Sequence, residues 1–427
     1  MSSLESLIAT SGESPMPDAL SFTLPPASTS CVDRKQHVRA YTTTASALSP
    51  NGAKTFRIRL GGDEMVDSTS VRLMYTLVNN HATRPLVPLC GPWGPWGQMY
   101  LRSAGVELDN IPHFNRFYQQ FFWNHLSQTA QYSEASISGF GGSWLQSNNS
   151  PNMGTIPGAG SVTVMHRLPL SLFLSGKMLP TRYCPLEVEG TLTNAAANWL
   201  NTADTNSQEY TIQNIQLLMD TVMLDEAVLH SFYSALLSGR TLSIPTFTVY
   251  QTVQTIPAGN TSYNFSCVRA FSRLSHIWLT FRNGGAGGGA MATSFICPTA
   301  GIANGTGPTP ALGDGNVPTV RLSIGPHNWP DPSPNGSVAE QFYMFQKALN
   351  GAIPNIDRDD FLTNAYTIAY DVRKVPQDPT SALSTRSGDL VAIFLDKLTA
   401  DRATEVWCTF FAFSVCGIRE SGVTLLT

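Results

Sequence analysis

The order of predicted elements occurs twice along the chain, and this repetition constrains the fold more than any single motif does. In each half, segments of alternating apolar and polar residues predict short strands, and one helix with an aromatic face interrupts them. The strand predicted at 186–192 has its counterpart at 390–395, roughly 200 residues later. Sequence identity between the two halves is negligible, so the chain repeats a type of domain and not a short solenoid unit.

Periodicity and turn residues locate the individual elements. In the first half we predict strands at 56–60, 71–78, 98–108 (two pieces around Gly105), 165–173, 186–192 and 212–224. In the second half we predict strands at 262–268, 274–282, 320–324, 366–372, 390–395 and 406–418. Helices are predicted at 114–126, 226–237 and 337–349. We expect the aromatic stripe of the first helix to pack in the core, and Asp109 or Asn110 to cap that helix.

Many short strands separated by Gly- and Pro-rich turns predict an all-β fold with a few short helices. The jelly roll is the favoured form, so we predict two tandem eight-stranded antiparallel jelly rolls, a double jelly roll. The predicted domains are an extended N-terminal arm at 1–37, a first roll at 38–226 and a second roll at 227–427. The helix at 226–237 is the predicted link between the rolls.

The composition narrows the classes of function. Only 13% of the residues are charged and the net charge is −4, whereas an ordinary globular protein has about 25% charged residues. These values exclude intrinsic disorder and a basic nucleic-acid-binding surface, and no apolar run is long enough for a transmembrane helix. Low surface charge favours association, so we expect a protein that assembles.

The cysteines and the first residues bear on the compartment. Seven cysteines are scattered along the chain without a CxxC spacing. We therefore expect free thiols in a reducing compartment and neither a disulfide framework nor a zinc site. The first residues lack a basic region followed by an apolar core, so no secretory signal is expected.

Polar residues give no motif that predicts catalysis or metal binding. The eight histidines form neither HxH nor HExxH, and His113 and His125, near the two ends of the aromatic helix, are expected to have helix-end polar roles. Two pairs of carboxylates are candidates for acid–base chemistry. Glu187 and Glu189 face the same side of one strand, and Asp359 and Asp360 are adjacent in the chain. Glycosidase chemistry needs two carboxylates across a cleft, and sequence spacing cannot establish that arrangement.

Two glycine-rich motifs have alternative interpretations. The run at 284–289 lacks the following Lys-Ser/Thr of a phosphate-binding loop, so a surface loop is predicted. The motif Gly-Pro-Trp-Gly-Pro-Trp-Gly at 91–97 is either an interface anchor or ordinary turn packing. We predict no catalytic residue, no cofactor-binding residue and no metal ligand, and therefore no enzyme and no cofactor.

Five sequence segments follow one another along the chain in the same order as in one protein family. They are the strand and turn at 99–106 before the aromatic helix, Leu-Pro-Leu-x-Leu-Phe at 168–173, Lys-Met-Leu-Pro at 177–180, the linking segment at 210–239, and Ser-Gly-Asp-Leu at 387–390. In this order they resemble the double jelly-roll major capsid proteins of icosahedral double-stranded DNA viruses, of the virophage and Polinton-like virus type. The resemblance covers roughly residues 40–427.

The resemblance implies a structural virion protein that assembles inside the host cell. In that family three copies of the two-roll chain form a pseudo-hexameric homotrimer, the capsomer that tiles an icosahedral shell around a double-stranded DNA genome. The implied partners are neighbouring capsomers, penton and minor capsid proteins and, through the N-terminal arm, an internal membrane. The arm holds Glu5, Glu13 and Asp18 against Arg34 and Lys35, so no sequence-specific binding of nucleic acid is expected.

Two other interpretations stay open. The protein is a minor or vertex capsid protein, or it is a two-domain β-sandwich that binds carbohydrate or hydrolyses glycosides. In the capsid interpretation, the long segments at 133–160 and 284–318 are expected to be exposed tower loops or contacts between capsomers.

Overall fold

In the computed structural model, two β-sandwiches follow one another along the chain. The structure describes residues 32–88, 90–125, 133–134, 136–139, 155–200, 204–283, 318–329, 338–349, 361, 367–375, 381–386, 389–396, 404–419 and 422–426.

The first sandwich is built from strands β1 to β11 and helix α1. The strands are β1 Val32–Tyr41, β2 Ala47–Leu48, β3 Thr55–Leu60, β4 Met65–Asp67, β5 Arg72–Asn79, β6 Trp96–Ser103, β7 Val106–Ile111, β8 Ser161–Arg167, β9 Met178–Pro180, β10 Leu186–Leu192 and β11 Tyr210–Leu224. The helix that follows β7 is α1 Phe114–His125. One sheet has the neighbour order β1-β11-β5-β8, to which the short strands β2, β4 and β9 are added, and the other has the order β3-β10-β6-β7.

The second sandwich repeats this arrangement after the linking helix α2 Glu226–Leu237. Its strands are β12 Leu242–Ile256, β13 Ser262–Cys267, β14 Leu274–Asn283, β15 Thr319–Ile324, β16 His327–Trp329, β17 Thr367–Asp371, β18 Val391–Asp396, β19 Thr404–Arg419 and β20 Gly422–Leu426. The helix that follows β16 is α3 Val338–Ala348. The sheets have the orders β12-β19-β14-β17, with β20 added beside β19, and β13-β18-β15-β16.

Within the described residues, both sandwiches therefore interleave eight principal strands in the same way, with every pairing antiparallel. In each of them the first, third, sixth and eighth principal strands form one sheet, and the remaining four form the other. This interleaving defines a jelly roll. The predicted fold class, two tandem jelly rolls with a few short helices, is confirmed.

Strand alternation explains where the core lies. In β5, Leu73, Tyr75 and Leu77 are fully buried and the residues between them are half-buried, because successive side chains point to opposite faces of a sheet. The same alternation occurs in β10 of the first roll and in β15 and β18 of the second. Each roll thus buries the inner faces of its two sheets against each other.

The linking helix also follows the sequence signals. α2 spans the predicted residues Glu226–Leu237. Gly239 adopts a φ of +80°, and the N–H of Arg240 donates to the carbonyl of Ala235. A glycine in the left-handed region just past the last turn is the usual way to end a helix.

The segment at 168–173, predicted as part of a strand, is not one. β8 ends at Arg167, and Ser171–Leu174 form a 3₁₀ turn. Pro169 lacks a backbone N–H and cannot continue a strand ladder, and the Ser171 N–H donates to the buried carboxylate of Asp109 at 2.9 Å. Asp109 and Asn110, the two predicted caps of the first helix, both lie in β7, and the helix begins at Phe114, so that prediction is wrong.

The N-terminal part of the first roll begins earlier than the sequence suggests. Residues 32–37, placed in the arm by the sequence analysis, belong to β1 and pair with β11, with Val32 opposite Leu224. The exposed side chains of β1 hide this strand from a periodicity argument, because an edge strand with a polar face shows weak alternation.

Candidate functional site: the seam between the rolls

The histidines take separate structural roles. His37 on β1 lies 2.9 Å from the carboxylate of Asp220. His166 is fully buried among aromatic rings of the first roll, and burial lowers its pKa to about 4. In the described part of the chain, no three His, Cys, Asp or Glu side chains are grouped so that they could hold a metal ion.

The paired carboxylates of β10 are bound by arginines. Glu187 lies 3.1 Å from Arg57 and 2.8 Å from Arg59, while Glu189 lies 2.9 Å from Arg57 and 2.8 Å from Arg102. The arginines stand on β3 and β6, the two strands that flank β10. The carboxylates therefore form a charged ladder across the outer face of a sheet and not two groups that face each other across a cleft.

The Trp-rich turn before β6 packs inside the first roll. Trp93 and Trp96 have exposed fractions of 2% and 0%. The Trp93 Nε1–H donates to the side-chain oxygen of Gln119 on α1 at 2.9 Å, and the Trp96 ring meets those of Phe56 and Tyr75 edge-on. Of the two interpretations, turn packing is what the structure has.

Some motifs lie outside the described residues. They are Asp359 and Asp360, the glycine run at 284–289, and most of the long segments at 133–160 and 284–318. The side chain of His125 is also outside the described set.

The two rolls meet along a seam built on α1. One face of α1 enters the core of the first roll, where Phe114 and Tyr118 pack against His166. The other face contacts the sheet β12-β19-β14-β17 of the second roll, where the Phe117 ring lies 6.1 Å from that of Phe411. The burial of Phe114, Phe117 and Tyr118 confirms the predicted core role of this helix.

Polar contacts extend the seam at the start of α1. The backbone N–H of His113 donates to the side-chain oxygen of Gln251 on β12 at 3.2 Å, and the Gln251 amide donates to the Thr409 hydroxyl at 3.4 Å. The His113 ring lies edge-on to Trp407 at 4.5 Å, and Arg116 lies over the same indole. Burial, reinforced by the charge of Arg116, lowers the pKa of His113.

A buried carboxylate ties three segments together in the seam. Asp109 on β7 accepts hydrogen bonds from the N–H groups of Asn110, Ser171 and, in the second roll, Val249. Burial raises the pKa of Asp109 to about 7, and the three N–H donors oppose that effect. The carboxylate connects the strand end of the first roll to β12 of the second.

Two thiols meet on opposite sides of the seam. Cys184 precedes β10 and Cys416 lies on β19, and the hydrogen bond between the two thiols lowers the pKa of Cys184 and raises that of Cys416. The Ser103 hydroxyl lies 3.3 Å from the Cys184 sulfur. The described cysteines are Cys90, Cys184, Cys267, Cys408 and Cys416, and all five are buried free thiols, as predicted for these positions.

Sequence reasoning missed most of the seam. Periodicity predicted no strand at β12. A signal exists, because Leu242–Ile256 is dense in β-branched and aromatic residues. Pro245 obscures it, although β12 is an edge strand of its sheet, where proline is tolerated.

Comparisons with known proteins agree on the architecture. No protein-family model and no curated protein matches the sequence. Among solved structures, the quasi-atomic PBCV-1 virus capsid gives a TM-score of 0.64 at 8% identity, over 92% of this chain and 96% of that chain. The chain has the double jelly-roll fold. The family resemblance found in the sequence is confirmed at the level of the fold.

Two further structures support the same conclusion. The Sputnik virophage, solved by cryo-EM, gives a TM-score of 0.60 at 10% identity, over 97% of this chain and 92% of that chain. The Faustovirus major capsid protein gives 0.59 at 8% identity, over 97% and 96%. Within the described residues, no helix combines the length and apolarity that crossing a membrane requires.

Proposed function

We propose that this protein is the structural major capsid protein of an icosahedral virion, without enzymatic activity. The observation that carries the proposal is the packing of two complete jelly rolls, equal in strand order, side by side in one chain. The PBCV-1 capsid, Sputnik and Faustovirus structures share this arrangement over more than nine-tenths of the chain. The proposed location is the shell of the virion, which assembles inside the host cell.

The proposed assembly unit is a homotrimer. Three two-roll chains present six similar domains around one axis, so the capsomer is pseudo-hexameric and suits the six-coordinated positions of a shell. Such a closed ring repeats one interface. The low fraction of charged residues, 13%, supports extensive contacts between copies, because charged side chains are depleted in the cores of interfaces.

The proposed partners follow from this role. They are neighbouring capsomers, penton and minor capsid proteins, and an internal membrane that the N-terminal arm contacts. The proposed genome is double-stranded DNA, enclosed without sequence-specific binding, since the arm lacks clustered Lys and Arg. The proposed domain division is an N-terminal arm, a first roll that ends at 226 and a second roll at 227–427. Residues 32–37, part of the predicted arm at 1–37, belong to the first roll's sheet through β1.

The glycosidase interpretation has less support. Glu187 and Glu189, its best candidates on one strand, are each bound by two arginines on an outer sheet face. Retaining and inverting glycosidases both need two carboxyl groups across a cleft, whereas these two lie side by side on one strand.

Electron microscopy of particles formed by the expressed protein, with or without the other virion proteins, tests the proposal. We expect shells or pseudo-hexagonal capsomers in which this chain dominates a stained gel. A protein that stays a folded monomer at every concentration would contradict the capsid role. A virion in which this chain is present in a few copies would favour a minor or vertex protein.

A further inference from the structure

The contact between the two rolls within one chain is asymmetric. The first roll contributes a helix, α1, and the second contributes the outer face of the sheet β12-β19-β14-β17, through Gln251, Trp407 and Phe411. Each roll, however, has both parts: a helix after its fifth principal strand and an outer face on the corresponding sheet. One helix and one sheet face therefore have no partner roll within the chain. They are α3 of the second roll and the outer face of β1-β11-β5-β8 of the first, where Glu134 binds Arg72 and Arg167 on the β5-β8 side.

Strand register identifies equivalent positions on the two sheet faces. Thr76 pairs with Thr163 in the first roll, and Thr280 pairs with Thr367 in the second, at the same place in the same two strands. Met74 precedes Thr76 by two residues on β5, and Trp278 precedes Thr280 by two residues on β14, so Met74 and Trp278 are at equivalent positions. Their neighbours across the sheet follow: Gln216 corresponds to Thr409, and Tyr41 corresponds to Gln251.

Two of the three equivalent positions differ in exposure. Gln251 is 7% exposed and accepts the hydrogen bond from α1, whereas Tyr41 is 64% exposed. Trp278 is 1% exposed, whereas Met74 is only half-buried. The corresponding face of the first roll is thus open at Tyr41 on its edge strand β1, whereas Gln216 on the neighbouring strand β11 is buried.

The leftover helix shows the complementary exposure. α3 buries Phe345 and Ala348 in the second roll, just as α1 buries one of its faces in the first. On the other side of α3, Ala339, Tyr343 and Lys347 are exposed at four-residue spacing, which places them on one face. Tyr343 is 60% exposed, whereas Phe117 on the outward side of α1 is 1% exposed beneath Phe411.

We propose that the α3 face around Tyr343 docks on the β1-β11-β5-β8 face around Tyr41 of a second copy of this chain. The in-chain contact of α1 with the second roll is the template for the contact between chains. A head-to-tail contact repeated from roll to roll closes a ring if the rotation allows it. Around such a ring, contacts within a chain alternate with contacts between chains. Every chain therefore contributes both of its rolls to the same ring. The proposal rests on the proposed trimer and assigns its interface.

Two glutamate variants and one matched control test the assignment. Tyr343→Glu and Tyr41→Glu each place a carboxylate in the proposed interface, and Tyr233→Glu makes the same change at an equally aromatic position, 44% exposed on α2. We expect association to weaken about a hundredfold in the first two and to stay unchanged in the control, because burying an unpaired charge is unfavourable. The readout is molar mass by light scattering across a dilution series, with thermal unfolding of each variant to show that it is folded.

The outcomes separate the interface from the function. If the unmodified protein is a trimer and only the two interface variants dissociate, the assignment holds. If all three variants remain trimeric, or all three dissociate alike, the assignment is overturned while the trimer stands. If the unmodified protein is monomeric at every concentration, the proposed function itself fails.

A crosslinking experiment gives an independent readout. Replacing Tyr343 by a benzophenone amino acid and irradiating a mixture of ¹⁴N- and ¹⁵N-labelled copies should give adducts between differently labelled chains. We expect the adduct in the peptides that contain Tyr41 or Met74. An adduct confined to the second roll would overturn the assignment.

Discussion

Removing one ring from the seam should reveal how strongly the two rolls depend on each other. Phe117 is 1% exposed and Phe411 is 8% exposed, with ring centroids 6.1 Å apart. Phe117→Ala removes a buried ring and leaves a cavity between α1 and β19, a change that costs about 3–5 kcal/mol in a protein core. Tyr233→Ala, on an exposed part of α2, should change the free energy of unfolding by less than about 0.5 kcal/mol.

The double variant isolates the contact itself. Aromatic pairs at this separation contribute about 0.5–1.5 kcal/mol beyond their buried area. In a cycle of Phe117→Ala, Phe411→Ala and both together, we therefore expect a coupling free energy of about 1 kcal/mol, and the double variant to be less destabilised than the sum of the single variants. The assay is urea denaturation followed by tryptophan fluorescence and far-UV circular dichroism. Strict additivity, or a Phe117→Ala variant as stable as the Tyr233→Ala control, would refute the seam as a packed interface.

Three further changes test other parts of the structure. Burial raises the folded-state pKa of Asp109 from 3.8 to about 7, so the folded protein holds this proton more tightly and its stability should fall as pH rises between these values. Asp109→Asn should remove this pH dependence of the free energy of unfolding, measured by denaturation from pH 5 to 8. The same pH dependence in both proteins would contradict the reasoning. Trp93→Phe leaves the buried Gln119 oxygen without its donor and should cost about 1–3 kcal/mol in a urea titration, whereas no change would show that water replaces the donor. Gly190→Ala would drive a methyl group into the Phe56 ring. We expect it to lower the free energy of unfolding by about 1–3 kcal/mol, and therefore the melting temperature. An unchanged melting temperature would mean that the ring moves aside freely.

The fold was largely predictable because strand alternation and helix periodicity are local signals. The segment at 186–192 alternates buried and half-buried residues as predicted, since β10 lies in the middle of its sheet with one face on the core. The aromatic spacing that predicted the first helix survives because Phe114 and Tyr118 pack in the core of their own roll.

The seam could not be predicted in the same way. Its contacts join residues far apart in the chain, such as His113 with Gln251, and no local pattern encodes that pairing. Asp109 looked like a helix cap because it precedes α1, but its partners are the N–H groups of Ser171 and Val249 on segments that only the tertiary fold brings near. The aromatic residues of β19 were predicted as a strand, yet periodicity does not tell a face that meets another domain from one that meets its own core.

The exposed tyrosines show a related limit. In the sequence, Tyr343 is an ordinary member of a predicted helix, and Tyr41 lies in no predicted strand. Only the comparison of equivalent positions in the two rolls shows that one copy of each surface is covered and the other is open. The internal repeat thus allows the surface of one roll to be compared with the equivalent surface of the other, a comparison that a single domain does not offer.

The number of rolls in the assembled particle tests the central claim most directly. Class averages from electron micrographs of the purified protein, viewed down the symmetry axis, report that number. We expect a closed six-lobed ring formed by three chains of 46.3 kDa. Isolated two-lobed particles, or closed rings with any other number of lobes, would contradict it.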